Sequence, residues 1–186
     1  DTNGSTTQTP CVLGTWNNMT GQTSCSNASA GYYVDTNGST TQTPCGLGTW
    51  NNMTGQTSCT NASAGYYVDT NGSTTQTPCD AGTYNPNSSS NSSMDCLDTP
   101  AGSYSGTGAS SPTQCSPGTW QNQTGQDDCM NASVGHYVDT NGSTTQTPCG
   151  LGTWNNMTGQ VACTNASAGY YVDTNGSTTQ TPCVLG

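Results

Sequence analysis

The apolar and polar positions of this chain repeat with a short period. A glycine, one variable residue and an aromatic residue recur about every 17 residues, and polar residues fill most positions between them. A short β segment at this Gly-x-aromatic marker, followed by a glycine-containing turn such as Thr54-Gly55 or Asn71-Gly72, is typical of a β-hairpin. The pattern therefore predicts ten small hairpin-like units, each marked by one aromatic residue: Trp16, Tyr33, Trp50, Tyr67, Tyr84, Tyr104, Trp120, Tyr137, Trp154 and Tyr171.

Two units form a longer repeat of 34 residues. The segment DTNGSTTQTPC begins at Asp1, Asp35, Asp69, Asp139 and Asp173, and residues 1–14 recur unchanged as 173–186, a super-repeat of 172 residues. Stacked repeats depend on their neighbours for stability. We expect one continuous array of disulfide-rich, β-poor to all-β hairpins, forming an extended rod with an aromatic ladder and no helix. Its double repeats are 11–44, 45–78, the divergent 79–114, 115–148 and 149–182.

Composition excludes several function classes. Only 28% of the residues are hydrophobic and Phe is absent, so no sizeable core can form, and eleven cysteines indicate covalent staples in an oxidising compartment. The net charge is -10, with no Lys or Arg. This excludes nucleic acid and a polybasic membrane anchor as partners. No apolar run is long enough to span a membrane, and we expect the sequence to be part of a longer, processed protein.

The cysteine spacing predicts the disulfide pairs. Cys45 and Cys59 stand 14 residues apart, and the equivalent positions of the next unit are Ala62 and Gln76, so both cysteines are absent together. Joint absence is expected of bonded partners. Pairing across the alternative spacing of 20 leaves Cys11 over and does not explain the joint absence. The predicted pairs are Cys11–Cys25, Cys45–Cys59, Cys79–Cys96, Cys115–Cys129 and Cys149–Cys163, with Cys183 pairing beyond this sequence.

The motif Cys-x-x-Gly-Thr-Trp followed by a second cysteine resembles the ephrin-receptor-like cysteine-rich repeat, a relative of the tumour necrosis factor receptor modules. The spacing C-x-x-C-x-x-G-x-Y of that family is matched at three of four positions by Cys25, Ala28, Gly31 and Tyr33, with alanine in place of the second cysteine. The resemblance implies an extracellular, elongated stack of β-poor modules with cysteines bonded inside each module. Near-identical copies favour a mastigoneme-like filament over a receptor.

Asn-x-Ser/Thr sequons recur at fixed places in each double repeat and predict N-glycosylation. The Ser, Thr and Pro content of segments such as Ser39–Pro44 is also typical of O-glycosylated stalks. The fifteen sequon asparagines are Asn3, Asn18, Asn27, Asn37, Asn52, Asn61, Asn71, Asn87, Asn91, Asn122, Asn131, Asn141, Asn156, Asn165 and Asn175.

No residue cluster indicates catalysis, a cofactor or a metal. His136 replaces a tyrosine of the sister units, and the pair Asp127-Asp128 has no positioned acid–base partner. Asp35–Ser39 resembles a calcium loop but lacks the distal Glu, so we interpret it as an Asn-Gly turn. There is no Cys-x-x-Cys pair to hold zinc.

The sequence predicts a structural component of an extracellular, glycan-coated filament rather than an enzyme. Its expected partners are further copies of itself and covalent glycans. The alternative is a cell-surface receptor or adhesin stalk, which requires Trp16, Trp50, Trp120 and Trp154 to be exposed in register. A third, remote alternative is an ice-binding solenoid with a flat, glycan-free threonine array.

Overall fold

The computed structural model describes residues 6–184, and its regular elements are short strands of two residues. In chain order they are β1 Thr15–Trp16, β2 Ser26–Asn27, β3 Tyr32–Tyr33, β4 Thr43–Pro44, β5 Thr49–Trp50, β6 Thr60–Asn61, β7 Tyr66–Tyr67, β8 Thr77–Pro78, β9 Thr83–Tyr84, β10 Leu97–Asp98, β11 Ser103–Tyr104, β12 Thr113–Gln114, β13 Thr119–Trp120, β14 Met130–Asn131, β15 His136–Tyr137, β16 Thr147–Pro148, β17 Thr153–Trp154, β18 Thr164–Asn165, β19 Tyr170–Tyr171 and β20 Thr181–Pro182.

Each odd-numbered strand pairs antiparallel with the strand that follows it, so the described residues contain ten hairpins. We number them from hairpin 1 (β1–β2) to hairpin 10 (β19–β20). In hairpin 3, Thr49 pairs with Asn61 and Trp50 with Thr60. The connecting loop, residues 51–59, is longer than a tight two-residue reversal, and Gly55 within it has a φ of 71°. The fold is the disulfide-rich tandem hairpin array that the sequence predicts.

No α-helix occurs in residues 6–184, but the divergent segment contains a single 3-10 turn, Ser93–Asp95, which the predicted array of hairpins does not include. Ser92 caps this turn, since its Oγ accepts a hydrogen bond from the Met94 backbone N–H at 3.1 Å. The Asp95 carboxylate accepts in return from the Ser92 backbone N–H at 3.2 Å. This reciprocal capping box satisfies donors that a short helical turn leaves free.

The hairpins fall into two compact units. The first contains hairpins 1–4 and Asn85–Cys96, the loop of hairpin 5. The second contains both strands of hairpin 5 and hairpins 6–10.

Backbone hydrogen bonds join each hairpin to its neighbour within a unit. Between hairpins 3 and 4, the Gly48 N–H donates to the Val68 carbonyl at 2.8 Å and the Asn51 N–H to the Ser73 carbonyl at 3.1 Å. In the opposite direction, the Gly72 N–H donates to the Cys45 carbonyl at 2.8 Å. The bond of the Gly48 N–H has an equivalent at each junction, including Gly82 N–H to the Ser105 carbonyl between hairpins 5 and 6, and all three bonds recur at most of the other junctions.

Glycine permits close approach between hairpins that are two apart. Gly31 of hairpin 2 has a φ of 82°, and a Cβ added there would overlap the carbonyl oxygen of Gly72 in hairpin 4. Gly48 meets the Ser89 carbonyl in the same way. Only glycine adopts this backbone conformation readily and leaves room for the carbonyl. The glycine of the Gly-x-aromatic marker is therefore required by the stacking of hairpins.

The buried apolar positions are small. Outside hairpin 6, one position per hairpin alternates between a half-cystine and an alanine, and Cys45, Ala62, Cys115 and Ala132 are all fully buried. No larger aliphatic side chain than valine contributes to the core of residues 6–184. Covalent bonds and hydrogen bonds therefore carry much of the stabilisation that a larger domain obtains from apolar burial.

Candidate glycosylation surface

Five disulfides close every odd-numbered hairpin of the described residues. They join the pairs that the sequence predicts, and their Cα–Cα distances are 5.7–5.8 Å: Cys11–Cys25, Cys45–Cys59, Cys79–Cys96, Cys115–Cys129 and Cys149–Cys163. Cys183 is exposed and has no disulfide within residues 6–184, so its pairing stays a prediction.

In the even-numbered hairpins other than hairpin 6, a glutamine and a serine make a polar contact at the place of the disulfide. In hairpin 4, the Ser63 N–H donates to Gln76 Oε1 at 2.8 Å, and Gln76 Nε2 donates to Ser63 Oγ at 3.4 Å. We call this paired contact the Gln–Ser clamp. It recurs with closely similar distances in Ser29–Gln42, Ser133–Gln146 and Ser167–Gln180.

A buried amide links a stapled hairpin to the hairpin before it. Asn51, only 5% exposed, donates from Nδ2 to the Tyr32 carbonyl at 3.1 Å and accepts at Oδ1 from the Met53 N–H at 3.0 Å. The strand partner of Tyr32 is Pro44, which has no N–H to offer this carbonyl. Asn155 makes the same two contacts with His136 and Met157.

All fourteen sequon asparagines within residues 6–184 are exposed, and Asn3 lies outside the described residues. They occupy three recurring places, apart from Asn87 and Asn91 in the divergent hairpin 5. We call these places the loop sites, Asn18, Asn52, Asn122 and Asn156; the turn sites, Asn37, Asn71, Asn141 and Asn175; and the strand sites, Asn27, Asn61, Asn131 and Asn165.

The loop sites carry their sequon on an open segment. In Asn52-Met53-Thr54, the Met53 side chain is 59% exposed and its N–H bonds to the neighbouring Asn51 side chain. Thr54 is exposed, and its hydroxyl makes no hydrogen bond within the described residues. The sequon hydroxyl is therefore free in the folded hairpin.

The turn sites carry their sequon in a hydrogen-bonded turn. In Asn71-Gly72-Ser73, the Ser73 hydroxyl donates to the Thr70 carbonyl at 2.8 Å and lies 2.8 Å from the Thr70 hydroxyl. Gly72 has a φ of 72°. The equivalent segment Asp35–Ser39 forms the same turn, in agreement with the interpretation as an Asn-Gly turn.

The strand sites carry their sequon at the junction between two hairpins. In Asn61-Ala62-Ser63, Asn61 pairs with Thr49, and Ala62 is fully buried. The Ala62 N–H and carbonyl both bond to neighbouring main chain. The Ser63 hydroxyl accepts from Gln76 in the Gln–Ser clamp. The asparagine and serine side chains of this sequon reach solvent, whereas the alanine between them is buried and the serine is held by the clamp.

Hairpin 6, β11–β12, is the exception in the described array. It has no disulfide and no Gln–Ser clamp, and no sequon lies between Asn91 and Asn122. In place of the half-cystine stands Thr99, fully buried, whose hydroxyl donates to the Gly82 carbonyl at 2.8 Å. The buried Ser105 hydroxyl has no hydrogen-bond partner in the structure. Hairpin 6 is therefore held mainly by its backbone contacts.

The four tryptophans of the stapled hairpins are half-buried. Their indole N–H groups are buried and find no acceptor within the described residues. A buried N–H without a partner is unusual, and the structure offers no physical account of it. The rings therefore present carbon edges, not their polar group, to solvent.

The residues considered for chemistry are dispersed. His136 Nδ1 lies 3.2 Å from the Val134 carbonyl, and Asp128 Oδ1 accepts from the Cys129 N–H. Within residues 6–184, no group of three or more His, Cys, Asp or Glu side chains is placed to hold a metal ion. The same part of the chain has no helix with the length and apolar character to cross a membrane.

Compared with protein-family models and with curated protein sequences, the chain matches none. The resemblance to ephrin-receptor-like repeats therefore rests on the motif alone.

The Gln–Ser clamp and the buried amides are not among the features predicted from the sequence. A signal for the clamp was present, because Gln42, Gln76, Gln146 and Gln180 stand at the position of the absent second cysteine. A signal for the amides was the alternation of Asn and Val at one position, as in Val34 and Asn51. Neither pattern predicts which atoms form the hydrogen bonds.

Proposed function

We propose that this chain is a structural component of an extracellular, glycan-coated filament or appendage, assembled from tandem stapled hairpins. The observation that carries the proposal is the repeated junction between hairpins. Each hairpin offers the same main-chain donors and acceptors to the next, as at Gly48, Asn51 and Gly72. A junction that repeats in this way extends an array without a defined end.

The charge distribution supports a role in which the surface is solvated and not engaged with polyanions. Ten Asp and no Lys or Arg leave the chain with a net charge of -10. Identical acidic surfaces repel one another, which disfavours lateral association of bare chains and leaves growth along the hairpin junctions. Five disulfides are typical of proteins in an oxidising, extracellular setting.

The exposure of the sequon asparagines supports the glycan coat. A glycan is bulky and hydrophilic, so its asparagine must reach solvent, and all those in residues 6–184 do. The three places per double repeat would distribute glycans along the array at regular intervals. Because this coat covers threonine-rich surface, it disfavours an ice-binding solenoid.

The alternative is a receptor or adhesin stalk that binds carbohydrate or cells through its repeated aromatic residues. Trp50 and its equivalents are half-buried, and their indole N–H groups are buried, so the donor that a sugar hydroxyl would use is not presented. This observation favours a structural role for the tryptophans. The alternative gains support only if a saturable ligand is found.

The test is electron cryo-imaging of the native glycosylated material at side-chain resolution. We expect hairpins in continuous or end-joined succession, with glycan density projecting from sequon asparagines such as Asn52. Separate, bare particles that bind a ligand with a saturable isotherm would overturn the filament proposal and favour the stalk.

A further inference from the structure

The three kinds of sequon differ in what folding does to them. An Asn-x-Ser/Thr acceptor requires a hydroxyl at its third residue, so a glycosylating enzyme has to reach that hydroxyl as well as the asparagine. The Thr54 hydroxyl of the loop site is free, whereas the Ser63 hydroxyl of the strand site accepts from Gln76 Nε2 at 3.4 Å. Exposure of the asparagine alone therefore does not make an acceptor.

We propose that folding closes the strand sites and turn sites to N-glycosylation and leaves the loop sites open. The glycan pattern of the array would then record which hairpins had folded when the enzyme reached them. This inference rests on the proposed glycan coat, and it assigns a modification order to that coat.

The strand sites are closed by hydrogen bonds along the whole sequon. At Asn61-Ala62-Ser63, the Ala62 N–H donates to the Gly48 carbonyl, and the Ala62 carbonyl accepts from the Ser89 N–H, both at 2.8 Å. The Ser63 N–H donates to Gln76 Oε1, also at 2.8 Å. An enzyme that binds this tripeptide as an extended segment has to break the junction with two other hairpins.

The strand site at Asn131, which also has hairpins on both sides, makes the same hydrogen bonds. At Asn131-Ala132-Ser133, the Ser133 N–H donates to Gln146 Oε1 at 2.6 Å, and Gln146 Nε2 donates to Ser133 Oγ at 3.2 Å. The Ala132 carbonyl accepts from the Gly159 N–H at 2.8 Å. The closure is therefore a property of the repeat and not of one hairpin.

The turn sites are closed by a smaller set of bonds. The Ser73 hydroxyl donates to the Thr70 carbonyl, and the Ser73 carbonyl accepts from the Asn51 N–H at 3.1 Å. The Gly72 N–H donates to the Cys45 carbonyl. We expect these sites to be modified more slowly than the loop sites once the neighbouring hairpin has docked.

The chemical step is the same at every site. The Asn Nδ2 forms a bond to the anomeric carbon of an oligosaccharide carried on a lipid diphosphate, and the bond from that carbon to the diphosphate oxygen breaks. The amide gives up one proton and the lipid diphosphate leaves. The fold changes only whether the acceptor can be bound.

The experiment is an acceptor assay with purified oligosaccharyltransferase and its lipid-linked donor. The 186-residue chain is prepared without glycans, once oxidised with its five disulfides and once reduced and alkylated. Cleavage before aspartate yields the peptide 35–68, which carries one turn site, one loop site and one strand site: Asn37, Asn52 and Asn61. The rates at these three sites are then compared within one peptide.

The sequons of the loop sites end in Thr, whereas those of the turn and strand sites end in Ser, and this difference alone changes the rate of modification. The reduced and alkylated chain therefore supplies the ratio of rates in the absence of folding. We expect the ratio of Asn52 to Asn61 modification to be larger in the oxidised chain by about tenfold or more, because the enzyme competes with the clamp bonds. An equal ratio in the two chains overturns the inference. If no sequon is modified even in the unfolded chain, the glycan coat itself fails, which separates the two proposals.

Gln76→Ala is the matched variant. It removes one clamp and leaves the clamp at Gln180 intact. Glycosylation of Asn61 should therefore become faster in the oxidised chain, while the rate at Asn165 in the same molecule stays unchanged. A uniform rise at both sites would indicate general unfolding and would refute the clamp as the cause of the slow modification at Asn61.

Discussion

The buried amide of Asn51 gives a direct measure of how strongly neighbouring hairpins are coupled. Its side chain bonds to the Tyr32 carbonyl of the hairpin before it and to the Met53 N–H of its own loop. Asn51→Ala removes this side chain, which is 5% exposed, and leaves the Tyr32 carbonyl and the Met53 N–H without their hydrogen bonds to it. Leaving a buried polar group without a hydrogen bond costs roughly 1–3 kcal/mol, so we expect Asn51→Ala to lower the free energy of local unfolding by about 2–4 kcal/mol.

Hairpin 1 supplies a matched control with the same local sequence. Gly14–Cys25 is identical to Gly48–Cys59. The Asn17 side chain accepts from the Met19 N–H at 3.0 Å, but its Nδ2 has no partner within the described residues. Asn17→Ala therefore removes one contact from a half-buried site, for which we expect a loss of about 1 kcal/mol. Neither substitution touches a sequon asparagine.

The assay is hydrogen exchange followed by mass spectrometry, because a repeat array does not unfold in a single transition. The Gly31 N–H, which donates to the Asn51 carbonyl at 2.7 Å, is the most informative amide. At tenfold per 1.4 kcal/mol, its exchange in Asn51→Ala should accelerate by about 30-fold to 700-fold. Asn17→Ala should accelerate exchange in hairpin 1 about fivefold. Equal acceleration by the two variants would refute the coupling through this amide.

Three further predictions concern the junctions and staples. Gly48→Ala should destabilise its hairpin far more than Gly152→Ala. Both glycines have a positive φ that costs alanine about 1–3 kcal/mol, but only at Gly48 would a Cβ overlap a carbonyl. Similar acceleration of local hydrogen exchange by the two variants would contradict this. The double variant Ala62→Cys with Gln76→Cys should form a sixth disulfide worth roughly 3 kcal/mol, since the spacing of 14 is that of four native pairs; two thiols that remain free in a mass measurement would show that the geometry differs. A chymotrypsin-like protease should cut the oxidised chain first after Tyr104, in the hairpin that has neither staple nor clamp, and a first cut within a disulfide loop would argue against local opening there.

The sequence alone predicted the hairpins and the covalent framework because both follow from residue spacing. The Gly-x-aromatic marker repeats with the hairpin, and the joint absence of Cys at Ala62 and Gln76 identifies the bonded pairs. The exposed place of Asn52 follows in the same way, because a polar residue in a loop without a core has nothing to bury against.

The bonds between hairpins could not be predicted in this way. They join main-chain groups, such as the Gly48 N–H and the Val68 carbonyl, and main-chain groups are the same at every residue. The Gln–Ser clamp depends on Gln76 reaching back to Ser63, thirteen residues earlier, which a composition of many Gln and Ser does not single out. The three-residue insertion in hairpin 5 likewise gave no signal of the Ser93–Asp95 turn.

The 34-residue period has a physical reason in the alternation of two kinds of hairpin. A stapled hairpin contributes a buried amide, Asn51, and the hairpin before it contributes the Tyr32 carbonyl that this amide needs. An unstapled hairpin has Val34 or Val68 at the same position, and the buried valine side chain offers no hydrogen-bond donor. Loss of a single hairpin would therefore break the alternation, whereas loss of a pair would preserve it.

Hairpin 6 is the place where this coupling is weakest. The amide of the following hairpin is Gln121, whose Nε2 donates to the Asp128 carbonyl of its own loop at 3.1 Å and not to the preceding strand. The position of the valine is taken by Ser105, with a buried hydroxyl that has no partner. Main-chain bonds still join the two hairpins, since the Gly102 N–H donates to the Gln121 carbonyl at 2.7 Å. With the side-chain link, the staple and the clamp all missing at one hairpin, opening there breaks fewer side-chain and covalent bonds than opening at the stapled or clamped hairpins beside it.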